Sequence, residues 1–227
     1  GLHDNIVHLQ RDDEIITAHP LLIRTVAGNG KADLSQLEAW LKGLSLVELY
    51  EVVDGLDDDD KTFLQEGLDH NLRLAEYGMK HGSGLGVGKT LDRLVRQRML
   101  KKDMILAARI LTSAASDARM AGVKLPAMSS AGSGNHGLTA TLPLQAIKDF
   151  IDCDQDTLLE AVAFSHIITA YVKAYTGRLS AVCGCSIAAG AGAATPAQAA
   201  PQAPHIAVDA ATGQPVAVDL ERAQAFL

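Results

Sequence analysis

The chain has 227 residues, 48% of them hydrophobic and 21% charged, with a formal net charge of -7. That length can bury a sizeable core, and the acidic balance argues against nucleic acid or an anionic membrane surface as a partner. Aromatic residues make up only 4% of the sequence, so Ala, Leu, Val and Ile must fill the core, which suits close helix packing. No apolar run approaches the length of a membrane-spanning helix. The start, Gly1–Asn5, lacks the basic and apolar regions of a signal peptide, so a cytoplasmic location is expected. Three cysteines, two of them in the spacing Cys183-x-Cys185, do not make a disulfide framework.

Residues 1–30 differ in texture from the rest. Asn5–Gln10 and Glu14–Thr17 read as two short strands around the turn Arg11–Asp13. An isolated hairpin is marginal in water, so this one is expected to be the remnant of an amino-terminal α+β domain. From Leu34 the pattern becomes helical, with Leu37, Trp40, Leu41 and Leu44 on one face, followed by Leu46, Leu49, Val52 and Val53. Ser35 and Glu38 stand at the spacing of a capping box. The run Asp57–Asp60 precedes Phe63, Leu64, Leu68, Leu72 and Leu74, and reads as negative charge at the positive end of a helix dipole rather than as a metal site.

The segment His81–Thr90 carries four glycines and ends in Lys89-Thr90, which invites a phosphate-loop reading. Two features reject it: Ser83 stands where that loop needs glycine, and a helical pattern leads in where the nucleotide fold needs a buried strand. The segment is expected to be a glycine-rich break between two helices, packed against a neighbour. Met99–Ala115 is apolar nearly all round and reads as a central helix. Thr157–Tyr175 reads as a second, and the small-residue stretch Leu179–Ala194 as a third. Beyond Thr195 the chain turns Ala/Pro/Gln-rich, as an extended linker would. The expected organisation is a hairpin remnant over 1–30, a helical domain over 31–194 and a tail over 195–227.

Between the first two of these helices lie Thr112–Met120 and Leu125–Gly137, rich in hydroxyls, small residues and glycine. Such loops expose backbone N–H groups, and the following segment from Leu138 reads as the start of a buried helix. An anion above that helix end would meet orphan donors and a favourable dipole, so a carboxylate or phosphate cradle is expected, against the plain alternative of a connector. Asp117 and Arg119 either serve the site or pair to fix the loop. His136 and His166 are candidate proton carriers because histidine titrates near neutrality, although His166 also fits a satisfied core histidine. Lys124 is expected to be solvated. Cys183 and Cys185 read either as ordinary buried thiols or as soft thiolates suited to an iron–sulfur cluster; Cys153, in an acidic polar turn, reads as structural.

Arg109–Gly122 together with Leu125–Pro143 closely resembles the UPF0597 family, the L-cysteine desulfidase group related to the alpha part of iron–sulfur L-serine dehydratases. Gly1–Leu9, Ser165, His166 and Arg178–Cys183 also look like family positions. The resemblance spans residues 1–194 and implies a mainly α, bundle-like fold. It further implies a [4Fe-4S] cluster, without pyridoxal phosphate, that eliminates a leaving group from the β-carbon of L-cysteine or L-serine to give pyruvate and ammonia. In that chemistry a cluster iron acts as a Lewis acid on the leaving group while a base removes the α-proton. Ser129, Ser130, Ser133, Gly134 and Asn135, with Arg119, would hold the α-carboxylate, with Cys183 at a family cluster-ligand position and Cys185 beside it. The sequence departs from the family in lacking its amino-terminal cysteine region before Gly1 and a second cysteine region after the Gly/Ala helix. The chain is therefore expected to be an incomplete part of such an enzyme, inactive alone, and either homo-oligomeric or completed by a partner segment. The alternative is a non-catalytic small-molecule-binding helical module.

Overall fold

The computed structural model describes residues 9–16, 34–151, 153–177 and 180–199, with the backbone alone at Leu34, Ser35, Gln198 and Ala199. They fall into two units, one ending at Leu37 and one running from Glu38. The first holds a two-stranded antiparallel ribbon, β1 (Gln10–Arg11) and β2 (Glu14–Ile15), paired Gln10 to Ile15 and Arg11 to Glu14. One further bond, from Ile16 N to Leu9 O at 2.9 Å, extends it. Asp12 turns the chain with φ of 54°, a left-handed conformation that Asp tolerates better than most residues. The regular strands are shorter than the sequence suggests, and Asn5–His8 and Thr17 lie outside the described residues.

The rest of the described chain is helical: α1 (Leu34–Gly43), α2 (Leu46–Glu51), a 3-10 turn (Val53–Gly55), α3 (Asp58–His81), α4 (Val87–Arg96), α5 (Met104–Met120), α6 (Gly134–Lys148), α7 (Gln155–Thr176), a π-helical turn (Cys185–Ala189) and α8 (Gly190–Ala199). The mainly α class read from the sequence is what the structure has. Ser35 lies inside α1, and the capping box forms one helix later, between Ser45 and Glu48 at the start of α2. The acidic run behaves as expected. Asp57 caps α3 by accepting from Asp60 N at 2.9 Å, and Asp60 returns the contact to Asp57 N. Leu64, Leu68, Asn71, Leu74, Ala75 and Gly78 then form its buried stripe, spaced three and four residues apart. Gly82 ends α3 in the left-handed conformation, with its N–H on Gly78 O at 2.7 Å.

The glycine-rich segment is indeed a break between helices. A helix, α3, leads into it, and Gly88 of α4 lies against the Ala114 backbone of α5, where a Cβ would collide. Gly78 of α3 meets the carbonyl of that same residue, so three helices converge on one alanine. Helix α5 starts five residues later than the sequence pattern suggests, at Met104, because Asp103 caps it through Leu106 N at 2.8 Å. It also continues past Ala115 to Met120, through residues that read as loop in the sequence. The small residues there are the packing face: Ala114, Ala115 and Ala118 are buried. Leu64, Leu68, Leu74, Leu138, Leu142, Leu158, Leu159 and Val162 fill the main core around those alanines. A smaller cluster joins Leu41, Leu49 and Val53 to Phe164 and Ile168 of α7. Helix α8 packs on α7 through Gly192, which abuts Ser165 O and Thr169 Oγ1. It accommodates Pro196 and runs to Ala199, beyond the point where an extended linker was expected.

Candidate functional site

The 121–133 connection ends in a tight turn. Ser130 N donates to Ser133 O at 3.0 Å and Ser133 N to Ser130 O at 3.1 Å. Between them Ala131 and Gly132 have φ of 45° and 83°, the pair of positive values a two-residue hairpin turn of type I′ requires. The turn is tied down from beneath. Asn71, fully buried on α3, accepts from Met128 N at 3.0 Å, and its amide donates to Thr141 Oγ1 at 2.9 Å and Gly137 O at 3.4 Å. One side chain thus joins the loop to the first turns of α6. Gly137 completes the fit, because a Cβ there would strike the Met128 carbonyl. Helix α6 therefore begins at Gly134, four residues before the start read from the sequence.

Two imidazoles meet at this turn. Ser130, 3% exposed, lies 2.8 Å through Oγ from Nδ1 of His166 on α7. His136, 7% exposed, comes from the first turn of α6. Burial pushes the His166 imidazole down to about 4. Burial also lowers His136, the positive charge of Lys173 lowers it further, and the Ser130 backbone works the other way. Both rings are therefore neutral at neutral pH. Among the described residues, His136 Nδ1 and His166 Nε2 are buried without a hydrogen-bond partner of acceptable geometry. Gly184 lies against the His136 ring at Nε2, where a side chain would collide, which brings the Cys183–Cys185 segment to the same place.

The two cysteines differ. Cys183 is exposed and caps the helical turn that follows, its carbonyl accepting from Ser186 N at 3.1 Å and Ile187 N at 3.3 Å. The N–H groups of Ser186 and Cys185 hold its thiol below the ordinary range. Burial pushes the Cys185 thiol up to about 11, and the charge of Cys183 adds to this. The Cys185 side chain lowers Cys183 a little further, and the Thr139 side chain of α6 works against the rise at Cys185. Cys183 is the thiol that ionises first.

The structure thus brings together Ser130, His136, His166, Cys183 and Cys185. Asn135 and Arg119 form a neighbouring pair, with Arg119 Nη1 donating to Asn135 Oδ1 at 2.9 Å and the guanidinium packed on Gly134. Ser133 stands at the N-cap of α6 without a side-chain capping bond, and Ser129 is exposed on the loop. Asp117 goes elsewhere: its carboxylate accepts from Gly88 N at 3.2 Å and caps α4. It is not paired with Arg119, and the plain structural role suffices for it. Lys124 is exposed and Cys153 is half-buried in the α6–α7 connection. Sequence reasoning missed Asn71 and Thr139. A lone Asn in the apolar stripe of α3 is the available signal for the first; Thr139 sits in a helix whose apolar pattern hides it.

A [4Fe-4S] cluster needs four ligands, or three with one iron left open. Cys183 and Cys185 supply two thiols. Among the described residues no group of three or more His, Cys, Asp or Glu side chains is placed to hold a metal ion. The described donor set alone does not fit a cluster.

Fold and site together define a helical domain with a serine-lined turn, two neutral histidines and a vicinal thiol pair. Residues 33–212 match the family model of the serine dehydratase alpha chain, and the chain belongs to that family. It is 61% identical over 192 residues to a UPF0597 protein of Desulfotalea psychrophila, covering 85% of this chain and 44% of that protein. A UPF0597 protein of Desulfatibacillum aliphaticivorans is 60% identical over 193 residues, with 85% and 44% covered. One from Clostridioides difficile is 44% identical over 191 residues, with 84% and 44% covered. The chain therefore spans less than half the length of these relatives. No solved structure matches it. Among the described residues no helix is long and apolar enough to cross a membrane.

Proposed function

We propose that this chain is the amino-acid-binding helical part of a lyase that removes the β-substituent of L-cysteine or L-serine, yielding pyruvate and ammonia. Family membership supports the reaction class. The observation that carries the reading is the pair of buried, neutral imidazoles at the Ser130–Ser133 turn, each with one ring nitrogen lacking a hydrogen-bond partner of acceptable geometry among the described residues. A neutral imidazole can accept the α-proton, and His136 and His166 are the two candidates for that base. The substrate carboxylate lies at the turn, where Ser130, Ser133 and the first N–H groups of α6 offer donors, with Asn135 and Arg119 at the rim. Ser129 and Gly134 flank it. Asp117 enters this reading as the cap of α4.

The chain by itself binds without completing the reaction. With two thiols in the described residues, further metal ligands come from a partner segment or partner chain, and the cluster expected from the family forms only in the completed assembly. The test is anaerobic reconstitution with iron and sulfide followed by a pyruvate assay on L-cysteine and L-serine. The chain alone is expected to give none, and the chain mixed with the remaining portion of a UPF0597 relative to give turnover. Robust turnover by the chain alone would refute its incompleteness; an inactive, cluster-loaded assembly would refute the lyase reading. The non-catalytic alternative, a module that binds a small amino acid for another purpose, is favoured by the same shortage of ligands and predicts that second result.

A further inference from the structure

We propose that His166 serves as a hydrogen-bond donor rather than as the base: the Ser130 hydroxyl donates to Nδ1, and Nε2–H is left to meet the substrate's α-carboxylate. This division of roles rests on the amino-acid-binding reading above and leaves His136 to take the α-proton. Ser130 Oγ and His166 Nδ1 stand 2.8 Å apart, and that hydroxyl has no other hydrogen bond among the described residues. Ser130 is 3% exposed, and Ser133 holds both its backbone N–H and its carbonyl in the turn. The hydroxyl is thus fixed beside the ring by a turn closed at both ends. On the far side of the ring, His166 Nε2 is buried with no hydrogen-bond partner of acceptable geometry among the described residues.

A neutral imidazole carries its proton on one nitrogen or the other, and the neighbours decide which. With the proton on Nδ1, the ring donates to Oγ, the hydroxyl proton has no acceptor, and the Nε2 lone pair has no donor. With the proton on Nε2, the hydroxyl donates to Nδ1 and the unmet donor is Nε2–H. The second arrangement wins because an imidazole nitrogen is a stronger acceptor than a hydroxyl oxygen, and Nε2 is the nitrogen that neutral histidine prefers to protonate. A buried N–H without an acceptor is costly, so a ligand that brings one is favoured. At neutral pH a small amino acid offers an ammonium that only donates, a neutral hydroxyl or thiol, and a carboxylate that only accepts. The carboxylate is the strongest partner for Nε2–H, through a charge-assisted bond. Ser130 thereby delivers its donor to the ligand through the ring. A His166 ring whose one lone pair is spent on that hydroxyl is not free to accept the α-proton. His136, with Gly184 against its Nε2, is left for that step.

Nitrogen NMR of the full chain, isotope-labelled at histidine and kept reducing at neutral pH, reads the proton directly; His166→Gln removes one ring's signals and so identifies them. His166 is expected to show a protonated Nε2 and a bare Nδ1, and a proton on Nδ1 or shared evenly overturns the inference. Ser130→Ala is expected to move part of that proton to Nδ1, which a merely structural role would not do; an unchanged ring in the folded variant overturns the part given to Ser130. L-serine is expected to shift the Nε2–H resonance, and L-serinamide, which lacks the carboxylate, to shift it far less. Equal shifts overturn the carboxylate as its partner. Glutamine can donate as Nε2–H does but cannot act as a base. His166→Gln should therefore bind L-serine nearly as well as the unaltered chain, and His166→Leu about 10- to 100-fold more weakly, the loss of a charged hydrogen bond. A folded His166→Leu chain with undiminished affinity overturns the inference alone; if that variant does not fold, the resonances of the unaltered chain decide. An unaltered chain that binds neither ligand overturns the amino-acid-binding reading and the carboxylate's place here, while the position of the proton still decides the role of Ser130.

Discussion

His166 and Asn71 show how much of the site depends on single buried groups. His166 has its pKa lowered from 6.5 to about 4. As pH falls below 6.5 the unfolded chain takes up a proton that the folded chain refuses, so stability drains away until about pH 4 and then levels. The loss over that window is about 3 kcal/mol from this residue, and His136, lowered too, adds to it in the same direction. Urea titrations at stepped pH should show this acid limb, and His166→Gln should flatten most of it. A limb unchanged in that variant would remove His166 as its source. Asn71 presents a different vulnerability. Asn71→Ala leaves Met128 N and the Thr141 region without their partner and opens a small cavity, so a loss of about 3 kcal/mol is expected in chemical denaturation. L-serine binding should weaken along with it, since the serine turn loses its tether to α3. Binding unaffected in a folded Asn71→Ala chain would show that the tether does not shape the site.

At the scale of elements, the helices with strong punctuation were legible and those with weak punctuation were not. Asp57–Asp60 announced α3 because a carboxylate at a helix start satisfies orphan N–H groups, and the structure has that cap. Helix α5 was displaced in the reading because Met99 and Leu100 looked like its first apolar turn. In the fold Met99 is 69% exposed, and the Asp103 side chain sets the boundary instead. Its end beyond Ala115 reads as loop because small residues signal turns when read locally. Here they let α3 and α4 approach, which is a tertiary fact that no local pattern carries. The same held for Gly134 and Gly137, whose lack of a side chain serves contacts with Arg119 and Met128 far along the chain. Asp117 shows the limit for sites: the sequence leaves it between serving the site and fixing the loop, and in the structure its carboxylate accepts from Gly88 N at the start of α4. Asp117→Ala should therefore cost about 1–2 kcal/mol of stability, a lost cap, with L-serine binding retained. Loss of binding in a stably folded variant would return Asp117 to the site.

For the whole molecule, the decisive relation is between the serine turn with its two imidazoles and a thiol pair that no third metal-binding side chain joins among the described residues. The serine turn and two imidazoles meet within one helical unit, whereas the thiols beside them number two among the described residues. The chain spans 44% of its Desulfotalea psychrophila relative, and the proposed function assigns any further metal ligands to the part it does not span. This division of labour predicts binding without turnover. Anaerobic calorimetric titration of the chain with L-serine reads both at once. The account predicts a saturable binding heat that returns to baseline after each injection and is not reproduced by L-serinamide. Absence of any binding heat would contradict the pocket, and a sustained heat of reaction accompanied by pyruvate would contradict the incompleteness of the chain.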